Sequence, residues 1–348
     1  MKKGASLPSI LWFSQRTAHA LAGASAGWLL SSLSAAPLIN GLLPALSASS
    51  TLLPLQPRAR FGLGLQLTGL ALLLLGALGQ LGPSPFWPLL ASALVGVGRT
   101  ATLLPMQRWL LAPQRLNLAW LSRLGDAGGL VGSLLTALLY PLLRSTAPQF
   151  AAAALLLFPT LLLVSSSSWR PEQGSAPAAP VGIPGIDPRG AFQGLLFGAL
   201  FALLPLWVRT ISGGDCVDFG LVLAAYGLGR ILSLGLPLPG WGIYAAMAVL
   251  LQATSWLPAW GSTALFVPLG ALAAGSDAHL VDPLREGGSG AAEGLVRIDR
   301  SLAIGSLAGS LAMGASAQIL GLANARILIV SAFLLAAVLL PRRPAARA

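Results

Sequence analysis

Apolar positions along this chain neither alternate with polar ones at every second residue nor recur as a stripe at helical spacing. They come as long, nearly unbroken runs, and twelve can be drawn: roughly residues 7–30, 33–55, 61–81, 86–110, 116–143, 150–168, 190–208, 219–238, 241–257, 261–281, 295–320 and 327–340. About 20 apolar residues in a helix cross the ~30 Å hydrocarbon layer of a bilayer. Only helices and closed barrels satisfy their backbone groups in lipid, and barrel strands alternate at a period of two. The pattern therefore predicts an all-α integral membrane protein of about twelve transmembrane helices. Turn chemistry punctuates the runs at Gln56-Pro57-Arg58, Gly82-Pro83-Ser84-Pro85, Ala112-Pro113-Gln114, Pro237 to Gly240 and Pro258.

Most connections are short, with two exceptions. The polar stretch Ser276 to Gly294 separates the tenth run from the eleventh, and a Pro/Ala/Gly-rich segment, 169–189, follows the sixth. The second of these divides the chain into six-helix bundles at 1–168 and 190–348, the organisation common among transporters built from repeats. Lys2 and Lys3 ahead of an apolar stretch resemble a signal sequence, but Ser14, Gln15, Arg16, Thr17 and His19 are more polar than a signal core allows, so an uncleaved first span is expected.

Composition agrees: 55% of residues are apolar and only 9% charged, where a soluble domain has about a quarter charged. The net charge of +11 is spread as single arginines between apolar runs, which excludes a nucleic-acid surface and points to anionic lipid headgroups instead. With the amino terminus inside, Lys2, Lys3, Arg58, Arg60, Arg108, Arg115, Arg170, Arg189, Arg285, Arg297, Arg300, Arg342, Arg343 and Arg347 fall in inner segments. Only Arg144, Arg209 and Arg326 fall outside. This asymmetry predicts an even number of spans with both termini cytoplasmic, in the cell's inner (plasma) membrane. A single cysteine, Cys216, excludes an internal disulfide, and the two histidines stand in no metal-binding motif. No phosphate-binding loop or hydrolase triad occurs, so neither an ATP-driven pump nor an enzyme is expected, and no cofactor.

The stretch from Gly96 to Leu139, GVGRTATLLPMQRWLLAPQRLNLAWLSRLGDAGGLVGSLLTALL, is similar to helix four, loop and helix five of the major facilitator superfamily. Arg99 takes the place of that family's helix-four arginine. Gly125, Gly128, Gly129 and Gly132 resemble the glycine-rich helix five of its exporters, without their Gly-Pro pair. QPRARFG keeps Arg58 and Arg60 of the family's loop between helices two and three but has no acid. DPLREGGSGAAEGLVRIDRSLAIGSLAG looks like the passage from helix ten into helix eleven. The resemblance covers nearly the whole chain. It implies two six-helix bundles and secondary active transport by alternating access.

Ionisable residues within spans are costly, about 2.5–3.5 kcal/mol each on insertion scales, and need a partner or an aqueous cavity. Arg16 and His19 share one face of the first span. Arg99 and Asp126 reach similar depth, which suggests an ion pair, with Arg123 one turn from Asp126 as a competitor. Arg230 reads as central in the eighth span with no acid nearby in sequence, its alternative being a packing position near the cytoplasmic end. If these residues line one cavity with Asp126 as its deep acid, the cavity is net positive and favours an anion. Gly125, Gly128, Gly129, Gly132, Gly305, Gly309 and Gly314 suggest close helix contact and a seam along which the halves rock. Trp12, Trp87, Trp169, Trp207, Trp241 and Trp260 stand at run ends as interface anchors. The expected activity is proton-coupled export of a small organic, anionic molecule by a monomer, a proton or other ion coupling the cycle. Two alternatives stay open: a non-transporting assembly factor of the same shape that handles a cofactor or partner protein, and a ten-helix drug or metabolite exporter.

Overall fold

The structure is a computed structural model that describes residues 6–53, 58–111, 116–166, 185–233, 238–257, 259–285 and 291–339. Most of the segment expected to link two halves, 169–189, lies outside the described residues, as do parts of the other polar connections.

Every regular element among the described residues is helical. In order they are α1 (Ser6–Leu33), α2 (Pro37–Ser49), α3 (Ala59–Ala77), α4 (Phe86–Leu111), α5 (Leu118–Leu143), α6 (Ala147–Ser165), α7 (Pro188–Ala202), α8 (Leu204–Thr210), α9 (Cys216–Leu232), α10 (Gly240–Ala253), α11 (Ala259–Arg285), α12 (Ala291–Leu320) and α13 (Leu322–Leu339). A single 3₁₀ turn, Ser50–Leu52, extends α2. The seventh apolar run is broken into α7 and α8 at Leu203, where Pro205 offers no N–H to the carbonyl one turn back. Helix starts follow capping chemistry. Asn117 accepts from the Trp120 amide at 2.7 Å ahead of α5, and Asp215 and Asp218 form a reciprocal capping box ahead of α9.

Among the described residues, eight spans are long and apolar enough to cross a bilayer: α3, α4, α5, α6, α7 with α8, the main part of α11, most of α12, and α13. Four of the twelve apolar runs fall short of that measure for definable reasons. Helix α1 is long but interrupted by Gln15, Arg16, Thr17 and His19. Helices α2, α9 and α10 have 13, 17 and 14 residues. The protein is a multi-pass membrane protein by length and composition of its helices.

The bundle is tied by a few face-to-face pairs: α1 with α5 and α6, α3 with α4 and α6, α7 with α12, α9 with α11, and α10 with α13. Two further pairs, α5 with α9 and α2 with α12, join helices from opposite ends of the chain. Glycine sets how close these pairs come. A Cβ on Gly305 would stand 1.8 Å from the Ala191 carbonyl oxygen, and one on Gly309 2.0 Å from that of Leu195, so α12 and α7 touch backbone to backbone. Gly128 and Gly132 seat α5 on α1 in the same way. The glycine stripes read as a rocking seam thus weld α1 to α5 and α7 to α12; of the seven, Gly314 alone faces the α2 contact, while Gly129 meets open space. Trp12 is also not an interface anchor. It is buried, and its indole Nε1 donates to the Leu121 carbonyl at 2.8 Å, pinning α1 to α5.

Candidate functional site

Helices α5 and α9 run antiparallel in contact along their length. Gly220 faces Ala137, Gly227 faces Leu130, and at the end of this stripe Arg230 faces Asp126. The absence of side chains at 220 and 227 is what lets the arginine reach across. On its other side α9 crosses α11 through paired glycines: a Cβ on Gly229 would lie 1.8 Å from the Val267 oxygen, and one on Gly270 1.9 Å from the Tyr226 oxygen. That contact delivers Asp277.

The Arg230 guanidinium is therefore held between two carboxylates. Its Nε lies 2.7 Å from Asp126 Oδ1, and its second arm, Nη2, 2.7 Å from Asp277 Oδ2. Asp277 is held in turn by the buried amide of Gln193, which donates to Oδ1. Tyr244 completes this side, its hydroxyl 3.4 Å from Gln193 Oε1 and 3.2 Å from Ser276 Oγ. Such charge-assisted bonds on both arms are among the stronger polar contacts available to a protein.

A second group lies on α1, α4 and α12. Asp299 lies within electrostatic reach of Arg99 and Arg16, with the Gln107 side chain beside it. Arg16 extends over the Trp12 ring, 5.7 Å from its centroid, into room left by Gly125 and Gly128. It feels the charges of Arg99, Asp299, Asp126 and Arg230 together, so the two groups share one electrostatic neighbourhood. Arg16, His19, Arg99, Asp126, Arg230, Asp277 and Asp299 are all partly accessible although they sit well within their helices or are enclosed by neighbouring ones. Charged side chains inside a membrane bundle need partners or an aqueous space, and here they gather in one cluster.

His19 belongs to a hydrogen-bond chain whose polarity can be read from its far end. The Thr102 hydroxyl donates to a carbonyl of its own helix, Gly98 or Arg99, and so accepts from Gln66 Nε2 at 3.0 Å. This turns the Gln66 oxygen toward His19, 2.7 Å from its Nε2, which must then carry the hydrogen. The histidine is a fixed donor to α3, and it feels both Arg99 and Arg16.

Several sequence expectations change. The predicted Arg99–Asp126 pair does not form: α5 packs on α1, α6 and α9, so Asp126 pairs with Arg230, while the carboxylate whose charge reaches Arg99 is Asp299. Arg123 is exposed and stands outside the group. Arg230 is not central, lying two residues from the end of α9. Asp277, taken as the start of a polar connection, is inside α11, and Asp299 joins the cluster from α12. The cluster holds three arginines and three aspartates, so it is balanced in total where a positive excess was expected.

No family model matches the chain, and no curated protein matches it by sequence. Solved structures do match in shape. The nucleoside transporter NupG superposes with a TM-score of 0.60 at 16% identity, over 97% of this chain and 98% of that one. The human organic anion transporter MFSD10 gives 0.57 at 16%, over 97% and 99%. A bacterial homologue of the iron transporter ferroportin in an inward-facing state gives 0.65 at 15%, over 95% and 97%. End-to-end coverage at so low an identity shows a shared folding pattern and nothing finer: the chain has a fold like that of the major facilitator superfamily.

Proposed function

We propose that the protein is a secondary active transporter that exports a small organic molecule in exchange for protons. Residues 1–168 and 190–348 rock as two six-helix halves about a cavity lined by the charge cluster. The reading rests above all on Arg230, which joins α9 and α11 of the second half to Asp126 on α5 of the first. Helices α5 and α2, second from the end and second from the start of the first six, contact their counterparts α9 and α12 of the second six. Crossed pairing of this kind is what two repeats related by a pseudo-twofold axis make. The charge bias along the loops supports cytoplasmic termini, with the end of the bundle nearest the cluster on the same side.

Asp126 is the coupling group in this scheme. Ionised, it holds Arg230 and keeps α5 against α9; with a proton on its carboxylate, the attraction is lost and the contact is free to part. Arg230 keeps Asp277, so it is never left without a counter-charge. The proteins that share the fold include a nucleoside transporter, an organic anion transporter and a homologue of an iron transporter, and the arginines here favour an organic anion among those classes.

The test is flux in proteoliposomes under an imposed pH gradient, against a panel of organic anions and cations, for the native chain and Asp126→Asn. The native chain is expected to accumulate an organic anion against its gradient. The variant should lose gradient-driven accumulation at least tenfold while folding normally and still exchanging labelled for unlabelled compound. Flux of no compound in the native chain would overturn transport and favour an assembly role.

A further inference from the structure

We propose that the transported compound is an amphipathic organic acid lying along α1, its anionic head at Arg16 and Arg99 and its apolar body in a pocket beside Gly23 and Gly27. The inference rests on the transport reading for its purpose but on separate observations for its chemistry.

Arg16, His19, Gly23, Gly27 and Leu30 follow one another at three- and four-residue steps, so they form a single stripe along α1. Its chemistry changes abruptly partway along. At one end stand Arg16 and His19, and α4, which carries Arg99, packs against α1 there, so that the charge of Arg99 reaches Arg16. Asp299 is the carboxylate within electrostatic reach of both arginines. Asp126 and Asp277 are engaged by Arg230. The cluster as a whole is balanced, but Arg16, Arg99 and Asp299 together carry one positive charge in excess, and two guanidinium groups at low dielectric call for an anion.

At the other end the stripe opens on a cavity of about 210 Å³. Its wall is made by Gly23 and Gly27 of α1, Pro44 of α2, Phe201 and Pro205 at the break between α7 and α8, and Phe219 of α9. Asn40, its polar neighbour, has its amide committed to the carbonyls of Ser34 and Ala36 at 2.8 and 3.0 Å. The pocket therefore offers surface for burial and little for hydrogen bonding. It is smaller than the ~300 Å³ at which sites for whole drug-sized ligands begin, which suits the hydrocarbon part of a molecule whose head lies elsewhere. Arg16 and Gly23 are seven residues apart, about 10 Å along the helix. A medium-length acyl or aryl carboxylate spans that distance; inorganic anions and short acids do not.

The experiment measures binding to the full chain in phosphatidylcholine nanodiscs, by equilibrium uptake of radiolabelled butyrate, hexanoate and octanoate, with octanol and octyltrimethylammonium as competitors. Affinity should rise about fourfold per methylene added, and octanol and the cation should compete at least tenfold more weakly than octanoate. Arg16→Gln should remove the preference for acid over alcohol while leaving the dependence on chain length. Gly23→Leu, placed where an added side chain meets open space, should fill the pocket, weaken octanoate at least tenfold and leave butyrate unchanged. Octanol binding as well as octanoate to the native chain, octanoate unmoved by Gly23→Leu, or no binding of any acid would each overturn the proposal. Phosphatidylglycerol discs that abolish octanoate binding would assign the same chemistry to a lipid and overturn the free acid. Binding without flux would remove the transport reading and leave this site standing. Flux confined to compounds lacking an acid or an apolar body would do the reverse.

Discussion

A guanidinium between two carboxylates behaves differently from an isolated ion pair, because removing the cation leaves two like charges facing one another. Arg230→Gln should therefore destabilise the protein by about 2 kcal/mol. The loss stays below the ~3–5 kcal/mol of a fully buried pair because Asp126 and Asp277 keep 15% and 34% of their side-chain surface. The diagnostic is the double variant. Adding Asp126→Asn to Arg230→Gln removes one of the stranded charges, so Arg230→Gln with Asp126→Asn is expected to unfold at higher denaturant than Arg230→Gln alone. Equilibrium unfolding of Arg230→Gln, Asp126→Asn and the double variant in detergent micelles gives the comparison, and additive losses would mean that the carboxylates do not feel the arginine. That Arg16, Arg99 and Asp126 lie inside spans was legible in the sequence by counting residues along a run, whereas Arg230 was misplaced because α9 stops at Leu232, short of the end of its apolar run. Their partners were not legible, because the sequence does not say which face of a helix meets which neighbour. Arg99 and Asp126 share a depth but project from helices that α1 keeps apart, and Asp277 was hidden by reading the polar residues from Ser276 onward as a connection when α11 continues to Arg285.

At the scale of elements, glycine decides which helices touch. The contact of α7 with α12 interlocks Gly194 with Leu302, Gly198 with Ser306, and Gly305 and Gly309 with the Ala191 and Leu195 carbonyls. A methyl group at Gly305 would have to occupy the place of a carbonyl oxygen, so the two helices must separate to admit it. Gly305→Ala should cost more than the ~1–3 kcal/mol of ordinary overpacking. Gly129→Ala, on α5 where an added Cβ meets nothing within 4 Å, should be neutral or slightly stabilising through helix propensity. Thermal unfolding of the two variants side by side tests whether spacing or the mere loss of glycine is at work. The apolar runs forecast the helices to within a few residues. The break at Leu203 was not foreseen, because a run that stays apolar across Leu204-Pro205 gives no polarity signal for a kink. The glycines were legible as contact residues, but which helix each one faced was set by bundle topology that no local pattern encodes.

For the whole molecule, the question is whether α5 and α9 part during function, and the sequence supplies its own probe. Cys216 is the chain's one cysteine and stands at the first turn of α9. It is buried completely, with the Gln149 amide 3.7 Å from its sulfur. A small maleimide can reach it only if the neighbouring helices move away, so labelling reports opening of that end with no background from other thiols. In the native chain, labelling should be slow beside the SDS-unfolded protein. Gly220 lies one helical turn along the same face, and a Cβ there would stand 2.6 Å from the Ala137 nitrogen. Gly220→Leu therefore wedges α5 from α9 next to the thiol, and labelling is expected to rise at least tenfold with helical content unchanged by circular dichroism. If the halves rock, Arg230→Gln, at the far end of the same seam, should move the rate in the opposite sense, since releasing one end of a rigid helix pair closes the other. A rate that rises in both variants would describe a seam that simply loosens. Only the opposed response requires the two halves to pivot as bodies, and that distinction separates a transporter's motion from the breathing of a static bundle.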